Sequence, residues 1–94
     1  MLFLVIAKDG TDSQAPARRQ AVRDEHLSNI KPSVEAGILH VGGAIMDDDG
    51  NMIGSALIAE AESKEDLQEF LDNDIYTKTG VWQSFEIYPF KRAV

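Results

Sequence analysis

Residues 2–7, LFLVIA, form an unbroken apolar run, and no other stretch constrains the fold as tightly. The run is rich in strand-forming residues and too short for an ordinary helix, so it reads as a strand. Side chains alternate across a strand, and a run with no polar residue therefore asks for cover on both faces of its sheet. It is also too short for a membrane span or a signal-peptide core, no positive charge precedes it, and no small-residue cleavage site follows. A chain of 94 residues is expected to form one domain, residues 1–94, with a core that needs no staples. It contains no cysteine. Disulfides, thiolate nucleophiles and thiolate metal sites are thereby excluded, and a reducing, cytoplasmic compartment is the expectation.

Turn residues at DGTDS (9–13) end the first strand. Asp12 or Ser13 is placed to cap a helix that begins near Pro16 and runs to Ala36, where Gly37 supplies a left-handed stop. Pro32 lies inside this pattern and is expected to kink or interrupt the last turns. ILHVGGAIM (38–46) and MIGSALIAEA (52–61) read as strands joined by the hairpin turn DDDGN (47–51). Ser63 and Asp66 form a capping box for a second helix, SKEDLQEFLDN (63–73). DIYTKTG reads as a loop, and the aromatic, β-branched VWQSFEIYPF (81–90) as the last strand. The order β-α-β-β-α-β specifies an α+β, ferredoxin-like fold: an antiparallel sheet with both helices on one face.

Two helices cover only one face of such a sheet. The other face of LFLVIA stays bare, and Ile53, Leu57, Trp82 and Tyr88 are expected to add bulk to the uncovered surface. A homodimer through the open sheet face is the economical way to cover it.

The helices carry polar residues where apolar ones belong. At about 100° per residue, Val22, Leu27, Ile30 and Val34 form one stripe of the first helix, and Arg19, Arg23 and His26 project into the same sector. In the second helix Leu67, Phe70 and Leu71 make the stripe, and its next position is Asp74. That carboxylate continues a buried face and sits near a helix C-terminus, where the macrodipole disfavours it. A residue that breaks two local rules is a candidate for function. If His26 and Asp74 meet, the acid orients the imidazole and leaves its other nitrogen to carry a proton, while Arg23 can hold an anion. Spacing alone does not decide the meeting. A satisfied core histidine, a capping aspartate and an arginine reaching to the surface are the structural alternatives.

Other signals point away from chemistry. The net charge of −7 disfavours nucleic acid and anionic membranes as partners. In MDDDGNM the positions that a calcium loop requires as glycine and glutamate are Met52 and Ile58, so the segment is a solvated hairpin tip. His40 has no ligand-spaced neighbour and reads as structural, Gly42 and Gly43 mark a bulge or close sheet contact, and Ser55 and Ser84 lack a nucleophile motif. Trp82, Phe85, Tyr88 and Phe90 read as core and interface. No metal or organic cofactor is indicated.

The opening strand LFLVIA, the segment RDEHLSNI and the run GSALIAEAESKEDLQEFLDNDIYTKTGVWQSFEIYPFKR together resemble the YciI-like (YCII-related) family over nearly the whole chain. The resemblance implies a ferredoxin-like fold assembled as a dimeric α+β barrel, similar to muconolactone isomerases, with an active site built from a histidine and an aspartate. Carried onto this sequence these are His26, in Arg-x-x-His-Leu, and Asp74, in Asp-x-Tyr. Arg23, Ser55 and Tyr76 match further positions expected to line the same pocket. The family often has proline between the acid and the tyrosine; Ile75 stands there instead, which is expected to leave Asp74 less firmly placed. The implied chemistry is elimination or isomerisation of small oxygenated compounds. Together these features predict a cofactor-free enzyme of lyase or isomerase type, in which His26 and Asp74 do acid–base work on a small anionic or phenolic ligand. A non-catalytic, ligand-binding dimer is the alternative, because binding sites and active sites need the same polar groups.

Overall fold

A computed structural model describes residues 1–94. The elements, in order, are β1 (Leu2–Asp9), α1 (Ala15–Glu35), β2 (Leu39–Met46), β3 (Met52–Glu60), α2 (Lys64–Asp72), α3 (Ile75–Lys78) and β4 (Trp82–Phe90). The strands form one sheet in the order β2-β3-β1-β4, and every neighbouring pair is antiparallel. This is the α+β arrangement that the element order specifies, with the helices on one face.

Alternation along β1 identifies the face the helices cover. Phe3, Val5, Ala7 and Asp9 are buried, whereas Leu2, Leu4 and Ile6 are half-buried and Lys8 is exposed. One chain therefore seals only one side of the apolar run. Leu57 and Trp82 are not on the open side, as the sequence reading had them, but in the core with Phe3 and Val5. The register is the cause: Val5 pairs with Leu57 and Asp9 with Trp82, and paired residues share a face. Ile53 has the same parity near the strand end and stays 48% exposed. Tyr88, opposite Leu4, does lie on the open face, where its hydroxyl donates to Glu86 at 2.7 Å.

α1 inverts the usual rule for an amphipathic helix. It buries Ala15, Arg19 and His26, yet leaves Leu27 and Val34 exposed. Val22 and Ile30 pack against the edge of the core. Neither Asp12 nor Ser13 is the cap; Gln14 holds that position without a side-chain bond. The Asp12 carboxylate is committed to Arg18, at 2.7 and 3.1 Å, and to the Gln14 amide at 3.2 Å, so it braces the turn before the helix. The helix continues through Pro32 to Glu35, and Gly37 stops it at φ +75°.

The remaining connections follow local chemistry. Asp47 closes the β2–β3 hairpin by accepting the Asp49 and Asn51 amides at 2.9 and 2.8 Å, with Gly50 at φ +85°. The β2–β3 register slips at His40 and again between Ile45 and Met46, not at the glycine pair. Gly42 instead marks a close contact, since a Cβ there would lie 3.0 Å from Leu57 Cδ2. Ser63 caps α2, its Oγ accepting the Asp66 amide at 3.1 Å. Leu67 and Leu71 drive that helix into the core.

Candidate active site

The stretch expected as a loop after α2 contains a single helical turn, α3, and Asp74 is its cap. Asp74 adopts φ −70° and ψ 139°, and its Oδ1 accepts the Tyr76 amide at 2.9 Å. This is the backbone region that a following proline would enforce. Ile75 reaches it without proline because the capped turn holds the residue: the amides of Thr77 and Lys78 both donate to the Asp74 carbonyl at 3.0 Å. Asp74 thus takes, with Ile75 after it, the conformation that proline would set.

The same Asp74 Oδ1 lies 2.7 Å from His26 Nδ1, and both side chains are buried. A carboxylate only accepts hydrogen bonds, so Nδ1 carries the proton and Nε2 is the ring nitrogen free to exchange one. The imidazole rests flat on the Tyr76 ring, with centroids 3.8 Å apart and planes within 6°. Trp82 meets both rings edge-on, at 5.5 and 5.3 Å. The histidine is thus oriented by a bond at one nitrogen and by an aromatic surface beneath it.

Beside this stack runs a second buried network. Arg19 Nη1 contacts both oxygens of Asp9, at 3.0 and 2.9 Å, and Arg19 Nη2 donates to Ser55 Oγ at 3.0 Å. Trp82 Nε1 donates to the same Oγ at 3.1 Å. The guanidinium carbon stands 4.9 Å from the centre of the Tyr76 ring, within cation–π range. Arg19 Nε is buried without a partner. Tyr76 is itself buried, and burial raises its phenol pKa, opposed by the charges of Arg19 and Arg23. Its hydroxyl therefore stays protonated at neutral pH.

These groups enclose a cavity of about 150 Å³ between α1 and the β2–β3 half of the sheet. Arg19, Arg23, His26, Ser55 and Tyr76 supply its polar lining, Leu57 and Ile30 part of its apolar lining, and the small residues 42–44 one wall. No carboxylate lines it. Arg23 is half-buried and forms no ion pair within the chain. A larger space of about 600 Å³ lies at the hairpin end of the sheet, bordered by Lys8, Asp9, Asp12 and Asp47. There every charge is already engaged, with Glu86, Arg19, Arg18 and the hairpin amides respectively. Of these two spaces, the smaller is the one with an uncommitted charge, that of Arg23. No group of three or more His, Cys, Asp or Glu side chains is arranged to hold a metal ion.

All five residues singled out in the sequence, His26, Asp74, Arg23, Ser55 and Tyr76, gather at this one place. Asp74 reaches it through His26 and does not line the cavity itself. The reading of Trp82 as core and interface missed its bond to Ser55, and Asp9 was not singled out at all. A signal for Asp9 was present: it is the fourth member of the alternating buried set Phe3, Val5, Ala7, Asp9. His40, read as structural, lies on the surface 3.1 Å from Glu60.

Breaking a buried ion pair leaves its partner uncompensated. Asp9→Ala is expected to cost about 3–5 kcal/mol of stability by chemical denaturation. Asp12→Ala, which breaks the exposed pair with Arg18, is expected to change little. The raised pKa of Tyr76 has a second consequence. As pH climbs past the unfolded value of 10.0, the unfolded chain releases a proton that the folded chain keeps. The stability from this group is complete below that pH and is lost as pH rises through the folded pKa. In a Tyr88→Phe background, Tyr76→Phe is expected to flatten the alkaline fall in stability, measured by urea denaturation across a pH series.

Residues 1–91 match the YCII-related domain. The chain is 34% identical over 99 residues to protein YciI of Escherichia coli O6:H1, covering 99% of both. It is 33% identical over 97 residues to fusaric acid biosynthesis protein 2 of Gibberella fujikuroi, covering 95% of this chain and 91% of the relative. A solved structure of TftG, the 5-chloro-2-hydroxyhydroquinone dehydrochlorinase of Burkholderia phenoliruptrix AC1100 in complex with 2,5-dihydroxybenzoquinone, superposes with a TM-score of 0.83. That protein is 33% identical, and the match covers 99% of this chain and 96% of that one. With this extent of agreement in sequence and in fold, the chain belongs to the YCII-related family.

Proposed function

We propose that this protein is a small cofactor-independent enzyme of lyase or isomerase type, acting on a single-ring phenolic or enolic compound that carries negative charge. The observation that carries this reading is the setting of His26. Nδ1 lies 2.7 Å from the buried Asp74, and the ring borders a cavity with two guanidiniums and no carboxylate. A cavity of about 150 Å³ suits one six-membered ring.

In this scheme Nε2 of His26 takes a proton from a ring hydroxyl or from a carbon next to a carbonyl. Asp74 stabilises the imidazolium that results. The electron pair moves into the conjugated ring, where Arg23 stabilises the oxyanion. An isomerase returns the proton to another atom. A lyase expels a leaving group such as halide with its electron pair, so the net change is loss of HX and no oxidant takes part. Likeness to a dehydrochlorinase supports the lyase form. A covalent route fits poorly, because Ser55 has no base beside it.

The test is chloride release from 5-chloro-2-hydroxyhydroquinone. His26→Ala is expected to lower turnover by about 10²–10⁴-fold, and ¹⁵N spectra of the neutral wild-type ring should place the proton on Nδ1. Unchanged turnover in His26→Ala would sink the acid–base role. Tight binding of 2,5-dihydroxybenzoquinone with no turnover of any halogenated ring would favour a non-catalytic binding module.

We also propose that the half-open sheet face is covered by a second copy of the chain. Leu4, Ile6, Ile58 and Tyr88 border or occupy that face, and no element of the chain lies over them. Analytical ultracentrifugation should give twice the chain mass for the wild type and a smaller species for Leu4→Glu. A wild-type monomer at micromolar concentration would refute the dimer. The cysteine-free, reducing-compartment composition fits a cytoplasmic setting, and no helix is long and apolar enough to cross a membrane.

A further inference from the structure

Ser55 lies on β3 with 3% of its surface exposed, and its hydroxyl oxygen accepts two hydrogen bonds. One comes from Arg19 Nη2 at 3.0 Å and the other from Trp82 Nε1 at 3.1 Å. A serine hydroxyl has two acceptor lone pairs and one proton. Neither partner can reverse its role, since a guanidinium and an indole N–H only donate. Both lone pairs are therefore taken. The proton is the one hydrogen-bonding capacity left, no group of the chain accepts it, and Ser55 borders the cavity.

The two donors are themselves fixed. Arg19 is held by both carboxylate oxygens of Asp9, and its guanidinium lies over Tyr76. Trp82 is braced by edge contacts with His26, Tyr76 and Phe85. Reorienting Ser55 would leave a buried N–H without an acceptor, a loss comparable to the bond gained.

We infer that Ser55 is an obligate hydrogen-bond donor to the ligand, a specificity-determining residue locked in that role by the Asp9–Arg19 pair and Trp82. It demands an acceptor at its point of contact, best a phenolate, enolate or carbonyl oxygen, and offers nothing to a ligand group that only donates, such as an ammonium or a conjugated amino N–H. This rests on the reaction proposed above and narrows it. The substrate carries two features on one small skeleton: a site that yields a proton to His26, and an oxygen that accepts from Ser55, most strongly when it is an oxo or oxyanion group. A conjugated ring bearing both a hydroxyl and an oxo or oxyanion group is the class that satisfies both.

A neutron structure of the free, deuterated protein reads the assignment directly. The Ser55 hydroxyl deuteron is expected on the cavity side; a deuteron directed at a protein acceptor overturns the inference whatever the protein binds. Its consequence is read with two one-ring probes of matched shape, 4-nitrophenolate and 4-nitroaniline, which share the nitro group and differ in presenting an oxyanion acceptor or an amino donor at the other end. Ser55→Ala is expected to weaken the phenolate by about ten- to a hundredfold and to spare the aniline. Ser55→Thr, which keeps the hydroxyl, should restore phenolate binding, and Trp82→Phe, which frees one lone pair, should narrow the preference between the probes. Measurable phenolate binding of equal affinity in wild type and Ser55→Ala overturns the inference. A cavity-facing deuteron in a protein that ignores 4-nitrophenolate supports the donor assignment and counts against the proposed reaction class.

Discussion

Asp74 Oδ1 accepts two hydrogen bonds, from the Tyr76 amide at 2.9 Å and from His26 Nδ1 at 2.7 Å, and the geometry of the site follows from that shared atom. The first bond starts the turn that carries Tyr76 and sets its ring beneath α1. The second fixes the imidazole above that ring, so the same carboxylate places both partners of the 3.8 Å stack. A short helix needs such help. One turn cannot repay its nucleation cost from backbone bonds alone, and α3 persists because Asp74 caps it and Tyr76 is buried. Capping the turn and holding the histidine are therefore not competing explanations of Asp74; one atom does both.

The inverted face of α1 has an energetic logic. Burying Arg19 in place of a leucine costs desolvation that an ion pair only partly offsets, and apolar replacements of buried pairs are often as stable. Here the charge is distributed over three partners: both oxygens of Asp9, Ser55 Oγ and the face of Tyr76. What this arrangement provides is rigidity. Arg19 ties β1 to α1 and, through Ser55, to β3, while Trp82 brings β4 to the same hydroxyl. Three strands and the long helix thus converge on one small volume, and the side chains facing it have few rotamers left. The exposed Leu27 and Val34 are the counterpart: a helix that turns polar groups inward leaves these apolar residues at the surface.

Much of this was legible in the chain, and the gaps have physical causes. Element order and turn chemistry gave the sheet and both long helices, because strand alternation, Ser63 and Gly37 act locally. The polar residues on apolar stripes marked His26 and Asp74 for the same reason. What local patterns do not encode is cross-strand register. Leu57 and Trp82 were assigned to the wrong face since their side depends on pairing with Val5 and Asp9 of β1, far away in sequence. Asp9 escaped notice because it looked like the first residue of a turn, although it is also the last inward position of β1. The one-turn helix at 75–78 is below the length at which periodicity carries information.

A chain of net charge −7 that lines a cavity with arginine faces an apparent contradiction, since its overall field repels the anions for which the proposed reaction calls. Range resolves it. At physiological ionic strength charges separated by more than about 8 Å are largely screened, so the exposed acids act weakly on a ligand already at the cavity mouth. At the cavity the guanidiniums act on a ligand at short range, partly through protein rather than bulk water. Local charge governs the cavity and net charge governs the exterior: a large polyanion would meet the repulsive surface over a wide area, while a small anion at the cavity mouth would not. Arg23 is the residue on which this separation turns, because Arg19 is neutralised by Asp9 and Arg23 has no acid of its own.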